Sequence, residues 1–361
     1  MKINNYLVIR NDGIGDLILS LPLITALKEK KGSLIYLVCS SRNIEFAMRL
    51  TEIGLIEKVI YLDKNENSKK DYYSHVTRLL KNMSFEAIYI LKPSITNLLI
   101  SLSLKKRNIF SIIAINESKI FKIRKYSPPI FSSILLKKYE LIDCRNNYMN
   151  STKIHMSKHY SNLYYAANSK KMKSNLKAIM KTNFLNYESS SYIKKIKKII
   201  NYNIKKNIVM FHFDEKWDRS YQNKDEIEIF LKSLFKLKNS IIIVTKGLSF
   251  NKYEKVLKKI SKPYKINNNL YSSLNFKNLY FINKSIYFEL ISILYICNII
   301  ITPHGGLSHT SSLFNKRLID LIEINRKSFY NKWMPLGKKT IQHDINDTSQ
   351  ILKTLKRFLK R

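Results

Sequence analysis

Arg10-Asn11-Asp12-Gly13-Ile14-Gly15-Asp16 sets two glycines beside a carboxylate, where one apolar run, Tyr6 to Ile9, ends and another, Leu17 to Leu21, begins. Glycine in such a turn lets a ligand approach the backbone closely, and the N–H groups of a following helix start carry partial positive charge. The stretch therefore suits an anion of phosphate size held next to an acid. Asp16 has two readings: a general base that takes a proton from a hydroxyl, or a plain helix N-cap. A second stretch of the same kind stands near the other end of the chain, Ile299-Ile-Ile-Thr-Pro-His304-Gly305-Gly306-Leu-Ser308-His309. Its glycine pair can cradle a diphosphate with backbone N–H groups, with Ser308 and His309 adding side-chain donors. A tight loop with a solvated histidine is the alternative.

These turns need strands before them and helices after them, and the sequence supplies both. Strands are predicted over Tyr6–Arg10, Leu34–Cys39, Val59–Leu62, Ala87–Leu91 and Ile109–Ala114, with helices between. From about Asn146 to Asn201 the chain is polar and Lys-rich, and Lys170 to Lys173 and Lys194 to Ile200 mark helices and a linker. The pattern restarts with Asn207–Phe211, Ser240–Thr245, Leu279–Ile282, Asn298–Thr302 and Arg317–Leu321. Alternating strands and helices of this length give doubly wound parallel sheets. Between Asn207–His212 and a helix predicted over Asp225–Leu237 lies a charged, aromatic loop containing Lys216, Trp217 and Arg219.

Taken together, the two glycine turns resemble those of the lipopolysaccharide heptosyltransferases, glycosyltransferase family 9. That family opens with a strand, a turn ending in Gly-Asp and an apolar helix closed by Leu-Pro, as Gly15, Asp16, Leu21 and Pro22 do here. Near its C-terminus it carries a strand, Asp-Thr-Gly-x-x-His and a small-residue helix; the matching positions are His304 to His309, followed by Asn315-Lys316-Arg317. His304-Gly305 replaces the usual Asp-Thr pair, which removes a carboxylate and a hydroxyl from the donor pocket and leaves the transferred sugar open. The resemblance implies a GT-B type fold, two Rossmann-like domains facing across a cleft. It implies domains at 1–170 (acceptor) and 206–345 (nucleotide sugar), a linker at 171–205, and a C-terminal helix at 346–361 crossing back to the first domain. That helix, basic and amphipathic, could instead lie on a membrane surface. The resemblance also implies an inverting transfer from a nucleotide sugar such as ADP-heptose to a lipopolysaccharide core or similar glycan. Asp16 would be the base, Gly13 and Gly15 the acceptor-side phosphate turn, and Arg219 the holder of the donor β-phosphate, with Lys216 its competitor. Ser285 would meet the base of the nucleotide; His304, Gly305, Gly306, Ser308 and His309 would surround the donor.

Composition bounds the rest. A chain of 361 residues with 45% hydrophobic residues suits two domains of ordinary size. Cys39, Cys144 and Cys297 form no Cys-x-x-Cys pair and read as reduced thiols of a cytosolic protein, and no leader or membrane span is read in the chain. No Asp-x-Asp pair and no cluster at metal spacing is found, so neither metal nor cofactor is expected; helix N-termini and cations would stabilise the leaving diphosphate. The formal charge is +38, from 64 Lys plus Arg against 26 Asp plus Glu. Part of it reflects a chain crowded with Lys, Asn and Ile. Yet Lys105 to Arg107, Lys119 to Lys125 and Lys137-Lys138 flank apolar stretches, which suits a protein on the inner face of the cytoplasmic membrane with an anionic glycolipid acceptor. A dehydrogenase is disfavoured, because Gly-Ile-Gly-Asp is an incomplete dinucleotide fingerprint. A non-enzymatic polyanion or RNA binder is the rival class, disfavoured in turn because the aromatics lie within apolar runs where packing explains them. Oligomeric state is not legible.

Overall fold

The computed structural model describes residues 3–61, 69–104, 108–117, 124–144, 154–168, 172, 191–200, 206–214, 216–217, 224–247, 254–266, 269–283 and 287–360. The chain forms two compact units, Met1–Phe184 with Asn331–Met334, and Leu185–Tyr330 with Pro335–Arg361.

The first unit is built on β1 (Asn4–Ile9), β2 (Ser33–Val38), β3 (Lys58–Ile60), β4 (Ala87–Ile90) and β5 (Ile109–Glu117), in the order β3-β2-β1-β4-β5 and parallel throughout. β6 (Arg124–Ser127) adds antiparallel to β5, and β7 (Lys138–Asp143) pairs parallel with it. Around the sheet run α1 (Ile14–Lys28), α2 (Ile44–Glu52), α3 (Lys69–Leu80), α4 (Ile95–Ser103) and α5 (Met156–Asn168). β1 and β4 are apolar on both faces because helices cover a parallel sheet on both sides. α1 is buried nearly all round, from Leu17 to Leu27, so each large apolar side chain there contributes about 1.5–3 kcal/mol. The predicted closure of this helix at Pro22 does not occur. α1 runs through Pro22 to Lys28, and close packing holds it where proline removes a backbone donor.

The second unit repeats the plan. β8 (Asn207–Phe213), β9 (Ser240–Lys246), β12 (Leu279–Ile282), β13 (Ile299–Pro303), β14 (Arg317–Ile322) and β15 (Thr340–Asp344) form a parallel sheet in the order β12-β9-β8-β13-β14-β15. β10 (Pro263–Lys265) and β11 (Leu270–Ser273) extend it antiparallel beyond β12. The helices are α6 (Ser191–Ile199), α7 (Lys224–Phe235), α8 (Glu254–Ser261), α9 (Tyr287–Ile296), α10 (Gly306–Leu313), α11 (Lys327–Lys332) and α12 (Thr348–Leu359).

In each unit the strand order reverses at its middle, between β1 and β4 and between β8 and β13. Ligands in open α/β sheets bind beyond the carboxyl ends of strands at such a reversal. Each unit is thus a doubly wound, Rossmann-like α/β fold, as expected for the two halves of a GT-B type chain.

Ile351, Leu355 and Phe358 of α12 enter the second unit's core with Phe230, Leu234 and Ile319. The amphipathic stripe of this helix is satisfied there. In the same unit α6 packs on α9. The short strands β6, β7, β10, β11 and β15 were not read from sequence, being polar or half-buried.

Candidate functional site

In the first unit the β1–α1 turn is held from several sides. Gly13 is the N-cap of α1, with extended backbone and no side chain to cap with. Asp16 stands in the first helical turn and does not cap; its carboxylate turns back to Arg10, whose Nη2 donates to Asp16 Oδ1 at 2.9 Å. The N-cap reading of Asp16 is thereby excluded. Arg10 is buried, yet Asp16 keeps 31% of its side chain exposed, so one oxygen is anchored and the group still meets solvent. Arg10 also lies 3.1 Å from Asp12 through Nε, an ion pair without hydrogen-bond alignment, donates to the Leu91 carbonyl, and sits 5.8 Å above the Tyr160 ring.

A second layer fixes the turn. Asn43 Nδ2 donates to the Arg10 carbonyl at 2.7 Å, and Ser40 Oγ to that of Asp12 at 3.1 Å. Asn11 exchanges amide hydrogen bonds with Asn97 at 3.0 and 3.1 Å and donates to Tyr72 Oη at 2.6 Å. Asn97 follows β4, so the two strand ends flanking the reversal are tied together.

Charge in this cluster is settled by burial and pairing. Burial alone would lower the affinity of the Arg10 guanidinium for its proton, but Asp12, Tyr160 and Asp16 outweigh it and hold Arg10 charged. Burial raises Asp12 well above the ordinary carboxylate range, with Arg10 opposing and Asp16 adding to the rise. Burial likewise raises the Tyr160 phenol.

In the second unit the corresponding turn follows β13. Gly305 is extended and caps α10; its N–H donates to Ser308 Oγ at 2.9 Å, and the same hydroxyl lies 2.9 Å from the Gly305 carbonyl. Ser308 is fully buried, and its hydroxyl engages the turn itself. Gly306 opens α10, whose first N–H groups lack intrahelical partners. Lys216, just after β8, donates through Nζ to the His304 carbonyl, and a Cβ added at Gly305 would meet that Nζ at 3.4 Å. The ends of β8 and β13 thus meet at this unit's reversal.

Behind the turn stands an arrangement the sequence did not disclose. His304 Nδ1 lies 2.8 Å from Asp320 Oδ2, which also accepts from Gln342 Nε2 at 2.9 Å. Asp320 is completely buried, and its Oδ1 has no hydrogen-bond partner among the described residues. A buried carboxylate fixes the histidine tautomer with the proton on Nδ1, turning Nε2 outward from the pair. The His309 and Tyr330 rings pack edge-on to His304, with centroids at 5.1 and 4.9 Å. His212 on β8 hydrogen-bonds Thr245 at 2.8 Å; burial, and then the Lys216 ammonium, lower it to about 3, so it is neutral.

Of the expected site residues, Gly13, Gly15 and Asp16 share the first turn, and Lys216, His304, Gly305, Gly306, Ser308 and His309 share the second. Arg219 and Ser285 lie outside the described residues. Trp217, from the charged, aromatic stretch after β8, is a core residue packed on Phe211 and Phe213 with centroids at 5.4 and 5.3 Å. Arg10, Asn43, Asn97, Asp320 and Gln342 were missed; only the position of Arg10 inside the motif could have marked it. Among the described residues no three His, Cys, Asp or Glu side chains converge as a metal site would. The first turn can position a carboxylate, and the second can offer backbone N–H groups, an ammonium and an imidazole to an anion.

No protein-family model matches the chain, and no curated protein matches it in sequence. Solved structures do match its fold. The glycosyl transferase family 9 protein from Veillonella parvula DSM 2008 is 12% identical, covering 99% of this chain and 91% of its own, with a TM-score of 0.64. E. coli heptosyltransferase WaaC with ADP is 11% identical, with 98% and 99% covered and a TM-score of 0.65. UDP-GlcNAc 2-epimerase from Neisseria meningitidis bound to UDP-GlcNAc is 10% identical, with 99% and 91% covered and a TM-score of 0.57. The chain is similar to all three over almost its full length.

Proposed function

We propose that this protein is a glycosyltransferase that moves a sugar, such as heptose from ADP-heptose, onto a lipopolysaccharide core or similar surface glycan. The observation that carries the reading is the pair of strand–glycine turn–helix junctions, each at its own sheet's reversal, one presenting a carboxylate and the other anion-binding groups. The full-length likeness to heptosyltransferases supports it. In this reading Asp16, oriented by Arg10, takes the proton of the acceptor hydroxyl as that oxygen attacks the anomeric carbon from the side opposite the leaving diphosphate. Backbone N–H groups at Gly305 and Gly306, with Lys216, His304, His309 and Arg219, balance the charge that develops on the diphosphate. The products are an inverted glycoside and a nucleoside diphosphate. No metal or cofactor enters the scheme.

The test is a panel of nucleotide sugars including ADP-heptose and UDP-GlcNAc, incubated with and without a glycolipid acceptor. Acceptor-dependent release of nucleoside diphosphate with inverted product is the expected result. Conversion of UDP-GlcNAc to another nucleotide sugar without acceptor would replace transfer by epimerisation. Within the donor site, Arg219→Ala is expected to weaken nucleoside diphosphate binding by about 2 kcal/mol, the cost of losing a charge-assisted contact. If Lys216→Ala has that effect and Arg219→Ala has none, the phosphate cation is Lys216.

A further inference from the structure

The connection between β6 and β7 carries apolar side chains that the first unit does not bury. After Ser127 the chain forms a 3-10 segment, Ile130–Leu135, that carries it from the β6 edge of β5 to the opposite edge, where β7 pairs. In that segment Phe131 is 79% exposed and Ile134 88%, and Leu135 and Ile130 are also exposed. Among these side chains only Ser132 is buried, where its hydroxyl donates to the Pro129 carbonyl at 2.6 Å. Exposed apolar residues grouped this closely mark a contact surface.

The charge around them says which kind. Lys125, Lys137 and Lys138 are exposed on the flanking strands and their junctions. From Ser118 to Tyr139 the sequence holds six Lys and Arg and no Asp or Glu. A protein partner would have to be both apolar at its centre and acidic around it. An anionic bilayer offers both by construction, headgroup phosphates outside and acyl chains a few ångströms beneath. We propose that Ile130–Leu135 is a membrane-insertion segment: Phe131, Ile134 and Leu135 enter the acyl boundary while Lys125, Lys137 and Lys138 rest on anionic headgroups. Among the described residues no helix is long and apolar enough to cross a membrane, so attachment through this segment is interfacial. The proposal is independent of the sugar-transfer reading.

The experiment uses the full chain and vesicles of phosphatidylcholine with or without phosphatidylglycerol, read by co-sedimentation. The wild type is expected to bind the anionic vesicles. Phe131→Ser with Ile134→Ser should reduce that binding roughly 10-fold or more, with the thermal midpoint unchanged because both side chains are exposed. Lys137→Gln with Lys138→Gln should remove mainly the salt-sensitive part. In a separate Phe131→Trp variant, the added indole emission should shift to the blue and be quenched by brominated lipid. Undiminished binding by the Ser variant, or an added emission that brominated lipid fails to quench in the bound Phe131→Trp variant, overturns the proposal. So does a dimer in size-exclusion chromatography that the Ser variant dissolves, which would give the surface to a second copy of the chain.

Discussion

The two glycine turns look alike in sequence and differ in what fixes them. The turn after β1 is organised by a buried cation: Arg10 reaches Asp12, Asp16 and the Leu91 carbonyl, and Asn43 and Asn97 brace the backbone around it. The turn after β13 is organised by a buried anion: Asp320 holds His304, while Lys216 and Ser308 satisfy the backbone at His304 and Gly305. One junction therefore presents negative charge on a positive foundation, and the other presents donors on a negative one. The proposed transfer would need this polarity, a base for the nucleophile and donors for the leaving group, and the two junctions differ by inverting the buried charge.

Removing the foundation of the first turn should have the largest effect. Arg10→Met leaves Asp12 and Asp16 without their buried counter-charge, and a loss of about 3–5 kcal/mol in urea-unfolding stability is expected. A loss below about 1 kcal/mol would mean that the carboxylates find other partners and that the contrast between the turns is superficial. Next is Asp16→Asn, which keeps the shape of the side chain and its ability to accept from Arg10 but cannot take a proton. Transfer should fall about 100-fold or more at unchanged donor affinity. Since Gly13 is the cap, lost capping cannot account for that result. Full activity in this variant would remove Asp16 from the chemistry.

The two units should also respond oppositely to pH. Asp12 has a raised value in the fold, so its contribution to stability is complete below the ordinary carboxylate range and is lost as pH rises through the raised value. His212 is lowered to about 3, so its contribution is complete above the ordinary histidine range and is lost as pH falls from there. Between about pH 4 and 6.5 the two oppose each other, each with a limiting slope of about 1.4 kcal/mol per pH unit. Asp12→Asn should make stability climb more steeply with pH in that window, and His212→Asn should flatten the climb. Denaturant midpoints measured across the window check both; parallel curves for all three proteins would show that neither group titrates differently on unfolding.

The smallest stability effect is expected at Gly305. Its backbone is extended and an added Cβ meets Lys216 Nζ and the Pro303 carbonyl oxygen at ordinary contact distances, so Gly305→Ala should shift stability by no more than about 0.5 kcal/mol. If the turn binds a diphosphate, the methyl group should nonetheless weaken binding of ADP or UDP measured by calorimetry. Unchanged affinity would separate this turn from the donor.

Much of the architecture was legible because its signals are local. Ten of the strands announced themselves as short β-branched runs, and each glycine turn sits where such a run stops. Even the type of fold follows from this alternation, since long crossovers between buried strands give parallel sheets with a reversal point. Other placements are not legible locally. Ser308 offers a hydroxyl that could point outward, Trp217 stands among charges, and the C-terminal helix has an unassigned apolar stripe. Each is locally consistent with two destinations, and only the neighbours brought by the fold decide between them.

The sequence by itself thus determined two doubly wound units, the Gly13–Asp16 and His304–Gly306 junctions, and a strongly basic surface, because periodicity, glycine and charge act within a few residues. Tertiary structure alone decided what these junctions rest on. Arg10 meets Asp16 within one turn, but the bracing Asn97 comes from beyond β4, and His304 takes its orientation from Asp320 and Gln342 on two further strands. Such partners are specified by strand order and register, which place residues side by side that the chain keeps far apart. Polar groups become costly to leave unpaired only once the core has closed around them.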